Sequence, residues 1–333
     1  MKKIFYSLVM LGVLALALIS CTKENEIEIP NGGKFYTVQV NMAGEIDVDY
    51  EPLTKASLPT GLYGISVEST PDVELAEGET ATWTPYAYYY NASFSSLEIT
   101  LKEGFKYRFK ALILVDGQNK LESPVGKNAL PFALVDASNS LQALSVSSSF
   151  RLDTNTSLQF RSQTTLKDTK TYDRPNLDAY YCEGITFTPS VANTSVSLEM
   201  KRVSFGAKFV VEGNLATSGT LNIGITGAPA QSLVLSSTAT DNVISDIFLF
   251  NKYWEAFKND SYSEVVPVTL SWTKADGTVQ DLGSHTIKYQ RNTTTVVTVK
   301  LHKDTFENSV GLVIKDTEAG TMAAPGTHDV TIN

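Results

Sequence analysis

The chain has 333 residues, 42% hydrophobic and 19% charged, with 36 acidic side chains against 27 basic. A net charge of −9 excludes nucleic acid as a partner, because no surplus of Lys and Arg exists to neutralise phosphates. Two cysteines and three histidines leave little material for a metal site, and 10% aromatic residues with abundant Val and Thr exclude a disordered chain. The length predicts about two domains, each large enough to bury a core.

Lys2 and Lys3 precede an uncharged apolar run from Ile4 to Ile19, short for a membrane-spanning helix and placed like a secretory signal. Leu18-Ile19-Ser20-Cys21 resembles a bacterial lipobox, in which Cys21 is lipidated and heads the mature protein. The alternative is an ordinary signal peptide with Cys21 a bystander. Losing Lys2 and Lys3 leaves 25 basic against 36 acidic side chains, a charge of −11. Several acyl chains would anchor the protein firmly, since each buried CH₂ is worth about 0.8 kcal/mol. Thr22 to Glu28 then form a polar, acidic tether. A Thr after the cysteine looks like an outer-membrane lipoprotein, and the acidic stretch is similar to surface-export tethers of Bacteroidales lipoproteins. A plain solvated spacer is the other reading. With Cys21 lipidated, Cys182 has no disulfide partner and reads as a small buried hydrophobe, not a catalytic thiol.

Two-residue periodicity marks strands along nearly the whole chain. Residues 35–42 place Tyr36, Val38, Val40 and Met42 on one face, and Tyr63, Ile65 and Val67 repeat the pattern over 62–68. Over 105–115 the first half has one wet face, while the second half is apolar on both and should run under cover. Asp116-Gly117 predicts a turn and a hairpin into 119–123. Weaker strands are expected near 144–151 and 156–162, and Tyr172 to Asn176, with Pro175, suits a connection near a domain boundary. The pattern restarts with strands over 196–200, 203–211, 221–225, 231–236 and 243–250. Asn251 to Lys258 is the one plausible helix. A strand around Pro267 belongs at an edge or bulge, and Ala275-Asp276-Gly277-Thr278 predicts a hairpin. Strands over 284–290 and 294–301 follow. Many short strands with almost no helix indicate an all-β chain of two tandem β-sandwiches.

No hydrolase elbow, zinc-protease helix, P-loop or C-x-x-C motif occurs, so no enzyme, metal or cofactor is expected. A glycosidase pair is not local in sequence and stays open. His285, His302 and His328 are scattered and read as surface imidazoles. Glu45, Asp47, Asp49 and Glu51 would share one face of an extended segment, as a hard cation would require. A solvated, mutually repelling loop is the stronger reading. Trp83, Tyr86, Tyr88, Tyr89 and Tyr90 lie close together, and on a strand Tyr86, Tyr88 and Tyr90 form one row. Such a row suits a ligand platform for sugar stacking or protein contact; core packing with hydroxyls at the rim is the alternative, and the favoured one.

Three pieces of sequence carry a family resemblance. The lipobox, acidic tether and first strand lead into Pro52-Leu53-Thr54-Lys55-Ala56. Tyr86-Ala87-Tyr88 is followed by Leu97-Glu98-Ile99-Thr100-Leu101-Lys102-Glu103-Gly104-Phe105-Lys106-Tyr107-Arg108-Phe109, and Val196-Ser197-Leu198-Glu199-Met200-Lys201-Arg202-Val203 lies midway. Together these resemble fimbrillin-type precursors of Bacteroidales over most of residues 21–302. The resemblance implies two transthyretin-like β-sandwich domains in a pilus subunit or surface adhesin of the cell surface or outer membrane. Such subunits arrive as lipoproteins, lose an N-terminal strand to a trypsin-like protease, and join other pilus subunits by strand donation. A surface ligand on a host or another bacterium would be a further partner.

On this pattern the chain divides into a signal peptide (1–20), a lipidated tether (21–34), an N-terminal sandwich (35–190), a C-terminal sandwich (191–305) and a tail (306–333). Residues 35–42 are the removable strand, and cleavage falls at Lys55. The tail is the candidate donor, with Val310, Leu312 and Ile314 alternating and a second segment at 329–333. One departure stands out: the first arginine after the signal is Arg108, inside a strong strand. Either cleavage uses Lys55, or the protein stays uncut and anchored. The competing function is a monomeric glycan-binding surface lipoprotein with the Trp83–Tyr90 cluster as its platform.

Overall fold

Alternating apolar residues become strands, and the computed structural model describes them over residues 33–45, 59–94, 97–122, 130–213, 219–236, 242–301 and 311–316. The first half runs β1 (Phe35–Gly44), β2 (Gly61–Pro71), β3 (Thr84–Asn91), β4 (Leu97–Lys102) and β5 (Phe105–Val115), then a helical turn, α1 (Gly117–Lys120). Short strands follow: β6 (Phe132–Asp136), β7 (Leu141–Gln142), β8 (Arg151–Leu152), β9 (Thr156–Phe160), β10 (Thr164–Thr165) and β11 (Thr171–Tyr172). Next come β12 (Ala179–Phe187) and β13 (Ser195–Arg202). The second half contains β14 (Ser204–Gly213), β15 (Gly219–Ile225), β16 (Gln231–Leu235), β17 (Val243–Leu249) and helix α2 (Tyr253–Lys258). It ends with β18 (Ser263–Lys274), β19 (Val279–Gln290), β20 (Thr294–Leu301) and β21 (Gly311–Asp316). The chain is an all-β protein. Among the described residues no helix is long and apolar enough to cross a membrane.

The largest sheet has the order β4-β1-β13-β12-β5-β2-β3-β8. β12 and β13 pair only at Tyr180–Arg202 and Tyr181–Lys201, so the sheet bends there and lays its two parts over one core. Val38, Val40, Ile99 and Leu198 enter that core from one part, and Ile65, Tyr89, Phe109 and Cys182 from the other. Full burial of each large apolar side chain contributes about 1.5–3 kcal/mol. β5 divides as its sequence requires. Phe109, Ala111 and Ile113 face this core, while Leu112 and Leu114 face a second one on the opposite side. On that opposite side, Arg108 and Lys110 reach Glu68 at 2.6 and 3.7 Å instead.

The second core continues into the C-terminal sheets, β17-β14-β20-β21 and β16-β15-β18-β19. Phe205, Phe209, Phe248, Ile223, Val268 and Tyr289 fill the space they share. Rings connect the two halves without a gap. Tyr90 meets Phe132 at 5.1 Å, Phe132 meets Phe160 at 5.9 Å, and Phe160 meets Tyr181 at 6.2 Å. Tyr181 in turn meets Tyr253 at 5.0 Å and Phe257 at 5.6 Å, both on α2.

Several expectations need correction. No hairpin follows β5: Asp116 adopts φ 56°, the chain winds into α1, and the fully buried Leu121 bridges to Leu166. The strand expected over 144–151 is reduced to Arg151–Leu152 beside β3. Ser195–Arg202, assigned to the C-terminal sandwich by the sequence, pairs with β1 and β12 in the first sheet. β18 is an interior strand, but Pro267 lies one residue past the end of its pairing with β15 at Val268, where its carbonyl accepts from the Thr226 N–H at 3.0 Å. The bulge lies beyond it, at Leu270–Ser271. The Asp276-Gly277 hairpin forms as expected, with Gly277 at φ +84°.

Tyr181 joins the two halves, so its loss should be felt globally. Tyr181→Ala should lower unfolding stability by about 3–5 kcal/mol, as for other buried rings. Tyr181→Phe, which loses only the hydroxyl bond to Glu183, should cost about 1 kcal/mol. Denaturant titration of both variants measures this.

Candidate functional site

β1 changes partners half-way along. From Phe35 to Val40 it runs antiparallel to β4, and from Gln39 to Gly44 it runs parallel to β13. Val38 and Val40 are completely buried, Tyr36 and Met42 partly so. Side chains at its margins add to the ladder: Tyr36 Oη donates to Glu103 at 3.1 Å, and Asn41 Nδ2 to Ser195 Oγ at 3.0 Å. β1 ends at Gly44, whose φ is +96° and whose added Cβ would meet the Met200 carbonyl oxygen at 2.6 Å. Only glycine fits both conditions.

That turn delivers Glu45 to a cluster of charges. Arg291 donates to Glu45 through Nη1 at 2.7 Å to Oε2 and 3.0 Å to Oε1, and through Nη2 at 3.0 Å to Oε1. The Arg202 backbone N–H donates to Oε2 at 2.7 Å. Arg291 Nη1 also donates to the Arg202 carbonyl at 2.8 Å, and Nη2 to Asp260 at 3.1 Å. The Arg291 side chain is only 4% exposed, so its charge depends on these partners. Arg202 forms a two-pronged pair with Asp178 at 2.8 and 2.6 Å, and Lys201 reaches Asp260 at 2.8 Å. The Lys201 bond, and then Arg291, hold the Asp260 carboxyl below its usual range.

The other candidates fare differently. Glu45 is an ion-pair partner, and Asp47, Asp49 and Glu51 lie outside the described residues, as do Cys21, Lys55, His302, Val310 and His328. Among the described residues no cluster has the makings of a metal site. His285 Nε2 lies 3.0 Å from the Leu282 carbonyl. Cys182 is fully buried, and burial pushes its thiol up to about 12. In the tail, β21 pairs antiparallel with β20, Leu312 opposite Val299 and Ile314 opposite Val297. The division between a C-terminal sandwich over 191–305 and a separate tail over 306–333 is therefore corrected: β21, within the tail, is an edge strand of that half.

The aromatic row does not form. A bulge at Val67–Glu68 shifts the register of β3, so Tyr86 packs with the first core while Tyr88 and Tyr90 enter the second. Tyr90 is 0% exposed and Tyr88 4%, leaving no face on which a sugar could stack. Burial raises the Tyr90 phenol well above its ordinary range. Tyr86 donates to the Thr100 carbonyl at 2.5 Å, and the Arg108 guanidinium lies 4.6 Å from the centre of the Trp83 ring. As a ligand platform Trp83, Tyr86, Tyr88 and Tyr90 are therefore corrected to core and rim residues.

Sequence reasoning missed Arg291. It follows an alternating strand at a turn, and its partner Glu45 is 246 residues away, so no local spacing could reveal the pair.

No protein-family model matches the sequence, and no curated protein matches it. Among solved structures the chain is similar to a candidate cell adhesion protein from Bacteroides eggerthii, with 11% identity, 86% of this chain and 96% of that one covered, and a TM-score of 0.40. It is also similar to the fimbrial anchor protein Mfa2 from Porphyromonas gingivalis, with 9% identity, 87% and 100% covered, and a TM-score of 0.37. A third is a candidate polysaccharide-binding protein from Bacteroides thetaiotaomicron, with 8% identity, 84% and 95% covered, and a TM-score of 0.40.

Cys182 gives a direct check on the packing. With Cys21 replaced by Ser, the native protein should not react with a thiol reagent from pH 7 to 9, because burial holds the Cys182 thiol up to about 12, whereas the unfolded chain should react fully. Absorbance of the released chromophore measures both.

Proposed function

We propose that the protein is a structural or adhesive subunit of a cell-surface pilus, exported as a lipoprotein through Cys21, with two tandem transthyretin-like sandwiches. The observation that carries this reading is the position of β1. It lies inside a sheet, between β4 and β13, and precedes the segment that contains Lys55. Withdrawing such a strand would leave β4, which pairs with its first half, and β13, which pairs with its second, without that partner over an apolar floor, and such open edges recruit another extended strand. The fimbrillin-like motifs before and after β1 support the same reading. Arg108 lies within β5 and pairs with Glu68, so Lys55 is the cleavage site this reading uses.

The tail is the donor in this proposal, but β21 must first leave β20 or the stretch beyond Asp316 must act alone. β21 ends its sheet order, so leaving breaks a single described ladder. The glycan-binding alternative loses its platform with the burial of Tyr88 and Tyr90.

Limited trypsin digestion of the full chain, and of a chain lacking residues 306–333, tests the proposal by size-exclusion chromatography. The full chain should stay monomeric when uncut and form higher oligomers once cut after Lys55. The tailless chain should stay monomeric in both states. Oligomers from the tailless chain, or none from the cut full chain, would contradict the proposal.

A further inference from the structure

Six charges meet at the end of β1, and they balance only when Glu45 is present. Arg291, Arg202 and Lys201 face Glu45, Asp178 and Asp260. Asp178 is taken up by both prongs of Arg202, and Asp260 receives Lys201 and one Arg291 nitrogen. Glu45 therefore answers the Arg291 charge, and it is the only one of the six contributed by the β1 segment. The five other groups lie outside that segment: Asp178 just before β12, Lys201 and Arg202 on β13, Asp260 before β18 and Arg291 after β19. What would be left without it is a nearly buried guanidinium aimed at an empty position, with a backbone N–H from Arg202 pointing the same way. That is the donor set of a carboxylate receptor: a fork matched to two oxygens plus a third donor.

We infer that Arg291 and the Arg202 amide form a receptor for a carboxylate borne at the end of an extended strand, filled here by Glu45, and that it selects which strand can lie in the place of β1. The selection rests on the reading of β1 as a replaceable strand; the receptor does not. A strand with a neutral residue in register with Glu45 would leave the Arg291 charge buried without its main partner, which is strongly unfavourable. Hydrophobic alternation admits many strands to a groove, and the receptor adds a demand for one acid at a fixed offset, five residues beyond the position of Val40. Gly44 sets that offset, since its left-handed turn brings the carboxylate back over Met200 and toward Arg291.

Vacating the receptor tests it without removing the strand. In Glu45→Ala the thermal midpoint should fall, and added formate should raise it saturably above the value in chloride at equal ionic strength. The unaltered chain should follow the same line in both salts. If Glu45→Ala does not fold in chloride, the yield of folded protein in formate against chloride is the readout. Identical behaviour of Glu45→Ala in the two salts overturns the receptor.

A second arm uses amidated peptides of residues 33–45, carrying either Glu45 or Gln at that position, added to the trypsin-cut chain. The Glu peptide should bind about tenfold more tightly or better, the scale of one charged hydrogen bond. Equal affinity overturns the selection. Binding of neither peptide, with formate rescue intact, overturns the replaceable strand while the receptor stands.

Discussion

A strand's backbone groups must find partners, and β1 meets that demand by serving in turn two strands that do not meet each other. β4 takes its first half antiparallel and β13 its second half parallel, so β1 is what joins them into one surface. Without it Ile99 would lose Val38, its neighbour in register, and Leu198 would lose Met42. That side of the first core therefore depends on the ten residues of β1. The parallel contact also explains why β13 belongs to the first sheet: its strongest described pairing is with β1, and its link to β12 is only two residues long.

The rest of the molecule is built more redundantly. β5 is buried on both faces through its second half and touches both cores, and rings from Tyr90 to Tyr253 run through the region between the halves. Charge is used sparingly and at few places. Arg108, Arg174, Arg202 and Arg291 each hold a carboxylate within about 3 Å. Such pairs contribute little net stability when buried, because desolvation offsets attraction, yet breaking one is costly. They act as fixed points of register more than as glue. Glu45 with Arg291 is the case with consequence, since it ties the end of β1 to the turn between β19 and β20.

Strand positions were legible because the two-residue period survives wherever one face is wet or the burial is continuous. Phe105 to Val115 shows this, with a strand at the expected bounds and the predicted change from one covered face to two. Turn chemistry was legible at Asp276-Gly277 and misleading at Asp116-Gly117, where the same dipeptide opens a helical turn because Leu121 is drawn into the core. For Tyr86 to Tyr90 the favoured core reading agrees with the burial of Tyr88 and Tyr90, but their single row was not legible as broken, since a bulge in the pairing with β2 puts Tyr86 on the face opposite Tyr88 and Tyr90. Partner choice was illegible throughout. Nothing in Ser195–Arg202 says that it pairs with a strand from the beginning of the chain, and nothing near Arg291 announces Glu45. Both are long-range contacts that only the closed sheets create.

Hydrogen exchange of the β1 amides in the intact, uncut protein tests the central claim most directly. If β1 is the strand that joins β4 to β13, its amides bonded to either strand should exchange as slowly as those of β5, through global unfolding alone. Exchange of those amides as fast as in the exposed connection over 72–83 would contradict the account.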